Sequence, residues 1–192
     1  MTEAEIYWSL DQVYSHSSAR SHGHSTNLFK LIFKHCEVAQ KFNLHKDKIG
    51  YYITYGLGPF FQSDVAKKVS HCDFFCISFD ESLNKIVQSC QMDIIVRFSE
   101  ADEIKTRYLT SCFLGSSKAS DILINFISSL QENGLDLQRL LSVSMDGPNV
   151  NLKFLNDLQA YLLNDTDDSQ PRLLQFGTCT LHIVHGAYKV LM

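Results

Sequence analysis

The spacing of hydrophobic positions changes near residue 70, and that change divides the chain in two. Upstream the pattern is helical. Leu28, Leu31, Ile32, Val38 and Phe42 recur at roughly helical spacing, and residues 46–55 are predicted to form a further short helix. Gly56-Leu57-Gly58-Pro59 is expected to interrupt it, because glycine and proline punctuate the backbone, and another helix follows over residues 60–69. Residues 15–25, rich in Ser and His, read as a polar loop.

From Cys72 onward the period becomes that of strands. Residues 73–79 form a short apolar run that ends in Asp80-Glu81-Ser82. In residues 92–98, Met92, Ile94, Val96 and Phe98 fall on one face. A polar turn over residues 99–103 leads to a third strand, 104–114, rich in Thr, Tyr and Phe. Short connections favour an antiparallel meander for these three strands. Ala119, Ile122, Leu123, Phe126, Ile127 and Leu130 mark one face of a helix, with Ser116 or Ser117 to cap it and Gly134 to close it. A fourth strand, 140–145, runs into Asp146-Gly147-Pro148. The helix after it, 150–163, is predicted to bury Leu152, Leu155, Leu158 and Leu162. The acidic residues 165–168 read as a solvated loop, and a fifth strand, 173–178, leads to Cys179-Thr180-Leu181-His182.

A meander followed by right-handed crossovers sets the fourth strand parallel to the first and beside it. The expected architecture is therefore an N-terminal helical region, 1–70, and an α/β region, 71–192. The latter carries a mixed five-stranded sheet of order 3-2-1-4-5.

That order gives two acids a meaning that their separation in sequence hides. Asp80 and Asp146 each follow a strand, and parallel neighbours lie about 4.8 Å apart, so both acids reach the carboxyl-terminal edge of the sheet. Two close carboxylates repel unless a proton or a cation intervenes. A hard divalent ion such as Mg²⁺ or Mn²⁺ binds one or two carboxylates and keeps waters for phosphate oxygens. The alternative is that both aspartates cap turns or helices, and Asp146-Gly147-Pro148 is a good turn by itself.

Composition narrows the classes. Of 192 residues, 45% are hydrophobic, as a packed core requires, and the formal net charge is −4. A stand-alone DNA binder draws its affinity from a basic excess, which this chain lacks. Lys46, Lys48, Lys67 and Lys68 are candidates for phosphate contact, with a solvated helix face as the simpler reading. Aromatic residues such as Tyr51, Tyr52, Phe60 and Phe61 read as core ahead of base-stacking platforms. No run approaches the ~20 apolar residues of a membrane span, and the first residues lack the basic segment of a secretory signal. Six scattered cysteines read as buried free thiols in a reducing compartment, hence an intracellular protein. His16, His22 and His24 lack acidic or Cys partners for a metal and read as part of a solvated linker.

Several blocks carry a family resemblance. Ser78-Phe79-Asp80-Glu81-Ser82-Leu83-Asn84, Gln91-Met92-Asp93, Ser144-Met145-Asp146-Gly147-Pro148-Asn149-Val150-Asn151 and Cys179-Thr180-Leu181-His182-Ile183-Val184-His185-Gly186-Ala187 resemble hAT-superfamily transposases and their domesticated relatives. Tyr55-Gly56-Leu57-Gly58-Pro59-Phe60-Phe61 fits the same group.

The resemblance implies a partial RNase H-like fold, with Asp80 and Asp146 as the first two acids of a DDE site for Mg²⁺ or Mn²⁺. It implies that Cys179 and His182, the CxxH pair, sit beside that site. Two ligands are too few for structural zinc, so positioning of the catalytic strand is their implied role. The family's third acid lies beyond a long helical insertion, and neither it nor the zinc finger and dimerisation segment has a counterpart in this sequence. The expectation is a nuclear, transposase-derived protein with a truncated core, no strand transfer, and weak affinity for metal and DNA. The alternatives are a DDE nuclease fragment completed by another segment or chain, and a module for protein interaction or homo-oligomerisation.

Overall fold

The computed structural model describes residues 3–116, 118–147, 149–164 and 173–174. The chain forms two compact units, residues 1–61 and residues 62–192; the boundary expected from the sequence was residue 70.

In the first unit, helices α1 (Glu3–Tyr14), α2 (Ala19–Ile32), α3 (Glu37–Lys41) and α4 (Lys46–Tyr52) surround a small core of Phe42, Leu44 and Ile49. Trp8 and Phe29 meet edge to face against it, with ring centroids 4.8 Å apart. One buried charge ties the helices together. Glu5, 2% exposed, accepts from Lys48 Nζ at 2.7 Å, from Tyr52 Oη at 2.9 Å and from the Asn43 backbone N–H at 3.2 Å. A carboxylate can be buried this way only because three donors replace its water.

Three expectations for this unit are overturned. The Ser- and His-rich stretch is a loop only over residues 15–18, because Ser18 accepts from the Ser21 N–H and starts α2 there. His22 packs on Trp8 with ring centroids 5.2 Å apart, and so does not lie in a solvated linker. Gly56-Leu57-Gly58-Pro59 does not break the helix either. Residues Ile53–Leu57 form a π-helical turn that runs directly into α5 (Gly58–Ser70). The wide turn takes up the Pro59 ring, which would otherwise strike the carbonyl four residues back. A Cβ at Gly58 would come within 2.9 Å of the Ile53 carbonyl oxygen, so glycine is required at that approach. Leu28, Leu31 and Ile32 fall in α2 and Val38 in α3, as their helical spacing predicts; all four are exposed, and Phe42, just after α3, is buried.

The second unit is a mixed α/β arrangement. Strands β1 (Phe75–Asn84), β2 (Ser89–Glu100), β3 (Glu103–Leu114) and β4 (Leu140–Ser144) form one sheet of order β3-β2-β1-β4. The first three are an antiparallel meander, and β4 pairs with β1 in parallel. The turn between β2 and β3 is only Ala101-Asp102, with φ of 51° and 64°, the backbone twist that suits a two-residue hairpin. Of the expected fifth strand, residues 175–178 lie outside the described residues. Leu174 N–H donates to the Leu141 carbonyl at 2.8 Å.

Helices α6 (Ala119–Glu132) and α7 (Asn149–Asn164) cover the face formed by Phe75, Ile77, Phe79, Met92, Ile94, Val96 and Phe98. Phe79, Phe126 and Phe154 join sheet and helices, with ring centroids 5.2–5.9 Å apart. Helix α6 ends as the sequence indicates. Gly134 takes φ +67°, its N–H donates to Gln131 O, and Leu135 N–H donates to Leu130 O. Its start differs, because Lys118 is the N-cap and Ser116 donates instead to Asp121 Oδ2 at 2.5 Å. Of the leucines expected on the buried face of α7, Leu158 is in the core and Leu155 and Leu162 pack against it, but Leu152 does not. Asn151, Phe154 and Leu158 are its fully buried residues, whereas Leu152 is 42% exposed. Among the described residues the cysteines are less buried than expected: Cys36 is exposed, and Cys72, Cys76, Cys90 and Cys112 are half-buried free thiols.

Replacing Glu5 by Ala leaves the half-buried Tyr52 hydroxyl and the Asn43 N–H without their acceptor, while the part-exposed Lys48 is solvated, and is expected to destabilise the protein by about 1–3 kcal/mol in urea unfolding. Gly134→Ala forces a side chain into the left-handed region and is expected to cost about 1–2 kcal/mol in the same measurement.

Candidate functional site

The site is built by the unequal lengths of β1 and β4. Their parallel ladder pairs Ile77 with Val143 and Ser78 with Ser144, and there β4 stops. β1 continues to Asn84 because β2 still supplies partners, up to Asn84 opposite Ser89. Asp80 is therefore inside a strand and not at its end, as the polar run Asp80-Glu81-Ser82 had indicated. Asp146 lies in the turn between β4 and α7. Each acid is two residues beyond the last bonded pair, Ser78 and Ser144.

Strand alternation separates the acids of β1. Asp80 is exposed on the face away from the helices, directly opposite Asp93 on β2. Asp93 is well supplied with donors, taking Ser111 Oγ at 2.6 Å and Gln91 Nε2 at 2.7 Å. Glu81 shares the face of Phe79, under α7, and is half-buried. Phe79 stacks edge-on against Phe154 of α7. Two residues further along β1, Glu81 meets the same helix one turn earlier, at Asn151.

Asn151 is the least expected member. It is 1% exposed on the apolar face of α7, and its Nδ2 donates to Asp146 Oδ1 at 2.5 Å. Its Oδ1 is buried without a hydrogen-bond partner among the described residues. Glu81 feels this group directly. Burial raises its pKa above the ordinary carboxylate value, the negative charge of Asp146 raises it further, the Asn151 amide opposes both, and Asp80 adds a smaller upward push.

Of the residues singled out from sequence, Asp80 and Asp146 thus lie at the same end of neighbouring strands, while Cys179 and His182 lie outside the described residues. Glu81 and Asn151 went unnoticed, although both sit in the motif blocks. A polar residue in register with Phe154 and Leu158 was the available signal, masked by the leucines one position over. Among the described residues, no three or more His, Cys, Asp or Glu side chains are grouped to hold a metal. The carboxylates of Asp80 and Asp146, the two acids singled out from sequence, are hard oxygen donors of the type that Mg²⁺ or Mn²⁺ selects. Two of the candidate phosphate-binding lysines are engaged with acids: Lys48 with Glu5, and Lys68 with Asp64 at 3.0 Å and Glu100 at 3.2 Å. No helix of the described residues is long and apolar enough to cross a membrane.

Because its pKa is raised by folding, Glu81 binds more protons in the native state, and its contribution to stability falls as pH rises from about 4.5 through its raised value. Glu81→Gln is expected to be more stable than the wild type at neutral pH, with the gap closing below the ordinary glutamate range. Urea midpoints of both proteins across that range check the sign. Comparison with family models and with curated proteins found no match to this chain.

Proposed function

We propose that the second unit is an RNase H-like core derived from a hAT-superfamily transposase, with a divalent-cation site at Asp80 and Asp146. The observation that carries this reading is the parallel β1–β4 register, in which each acid follows the last bonded pair by two residues. The bond from Leu174 N–H to Leu141 O supports a further strand beyond β4, hence the order 3-2-1-4-5. An Mg²⁺ or Mn²⁺ ion there would offset the repulsion of the acids and offer its remaining coordination positions to phosphate oxygens. Asp80 and Asp146 match two of the family's three acids, and such a pair suffices to hold one hard divalent cation. DNA affinity is weak, since the chain carries a formal charge of −4, and the protein is nuclear, as befits its derivation.

A second reading, a protein-interaction module, is favoured by the first unit. Leu28, Leu31, Ile32, Phe33 and Val38 are 48–66% exposed on α2, α3 and the segment between them, and clustered apolar surface marks protein contacts.

Titration of the purified chain with Mn²⁺ distinguishes these. Wild type is expected to bind saturably, Asp146→Ala and Asp80→Ala are expected to lose saturable binding, and supercoiled DNA is expected to remain intact with Mg²⁺. Identical isotherms for the three proteins would refute the cation site, and Mg²⁺-dependent nicking lost in Asp146→Ala would instead identify a nuclease fragment.

A further inference from the structure

Asn151 occupies a place that packing alone would give to leucine. It lies in line with Phe154 and Leu158 on the buried stripe of α7, and it is as enclosed as they are. An amide there leaves its Oδ1 buried without a partner among the described residues, which is destabilising. A native orphan of this kind calls for an explanation beyond packing.

The other end of the side chain supplies one. Nδ2 donates to Asp146 Oδ1 at 2.5 Å, and among the described residues only that oxygen of Asp146 is engaged. Carboxylates that bind metals are themselves held by hydrogen bonds, which fix the rotamer and the oxygen that faces the ion. A hard divalent ion also keeps several waters, and those waters are donors. The Asn151 amide offers both complements within one rigid group: a donor for the ligand and an acceptor for the ion's water. Its place on α7 is set by the contact of Phe154 with Phe79, so the amide is held independently of the loop that carries Asp146.

Resting on the reading that Asp80 and Asp146 hold a divalent cation, we propose that Asn151 is the positioning residue of that site. Its Nδ2 fixes Asp146 Oδ1 so that Oδ2 faces the ion, and its Oδ1 accepts a hydrogen bond from one of the ion's waters.

Leucine at this position separates a positioning role from a structural one, because it removes both hydrogen-bonding ends and keeps the volume. Mn²⁺ binding to the full chain is measured by electron paramagnetic resonance of the free ion, with thermal melting in parallel. For Asn151→Leu the expected result is a Kd raised at least about tenfold, the range for groups that orient metal ligands, with a melting midpoint equal to or above wild type. Leu158→Ala, on the same stripe, is expected to lower the midpoint and leave Kd within about twofold.

Should Asn151→Leu fold poorly, Asn151→Ser is held to the same criterion. A Kd within twofold of wild type in the Asn151 variant, while Asp146→Ala fails to bind, overturns the role of Asn151 and leaves the cation site standing. Equal binding by Asp146→Ala and wild type overturns both.

Discussion

The second unit depends on the two different ladders of β1. Along its whole length β1 is bonded to antiparallel β2, but it is bonded to parallel β4 only as far as Ser78. The first ladder keeps the chain extended through residues as polar as Asp80, Glu81 and Ser82, which would otherwise leave the sheet. The second ladder ends early, and the chain turns from β4 into α7 beside the part of β1 that lacks a parallel neighbour. Acids from both segments are thereby brought to one rim. Neither ladder alone would do this.

What fixes α7 over that rim is aromatic packing. Phe79, Phe126 and Phe154 form a mutual contact of sheet, α6 and α7, and Leu158 extends it. Burying a side chain of this size contributes about 1.5–3 kcal/mol, so Phe154 and Leu158 together outweigh the roughly 1–3 kcal/mol cost of an unpaired buried amide oxygen at Asn151. The helix can therefore carry a polar group on its apolar stripe and still dock. The first unit resolves the same conflict differently, by giving Glu5 a full set of donors.

Much of the second unit was legible. The period-2 run Met92, Ile94, Val96 and Phe98 marks the face of β2 that is buried, and the short polar connections foretell the meander. The α6 stripe and Gly134 locate a helix and its end, since both follow from local geometry that no distant residue has to supply. The parallel placement of β4 beside β1 also follows from chain order and handedness. The helical first third was harder to read, because polar serine and histidine residues there cap and fill a helix, and a π-helical turn accommodates a proline that local rules treat as a break.

The sequence by itself determined the four described strands, the main helices and the two acids that end up at one edge, because alternation, helical periodicity and turn residues act over a few positions. Only the tertiary structure decided that β1 runs past Asp80, that Glu81 and Asp80 face opposite sides, and that α7 presents Asn151 and not Leu152 to the sheet. Those outcomes depend on how far a neighbouring strand continues and on which side of a helix fits the aromatic cluster. A rotation of one residue about a helix, or one further step along a strand, costs little in local propensity and is settled by packing between segments far apart in the chain.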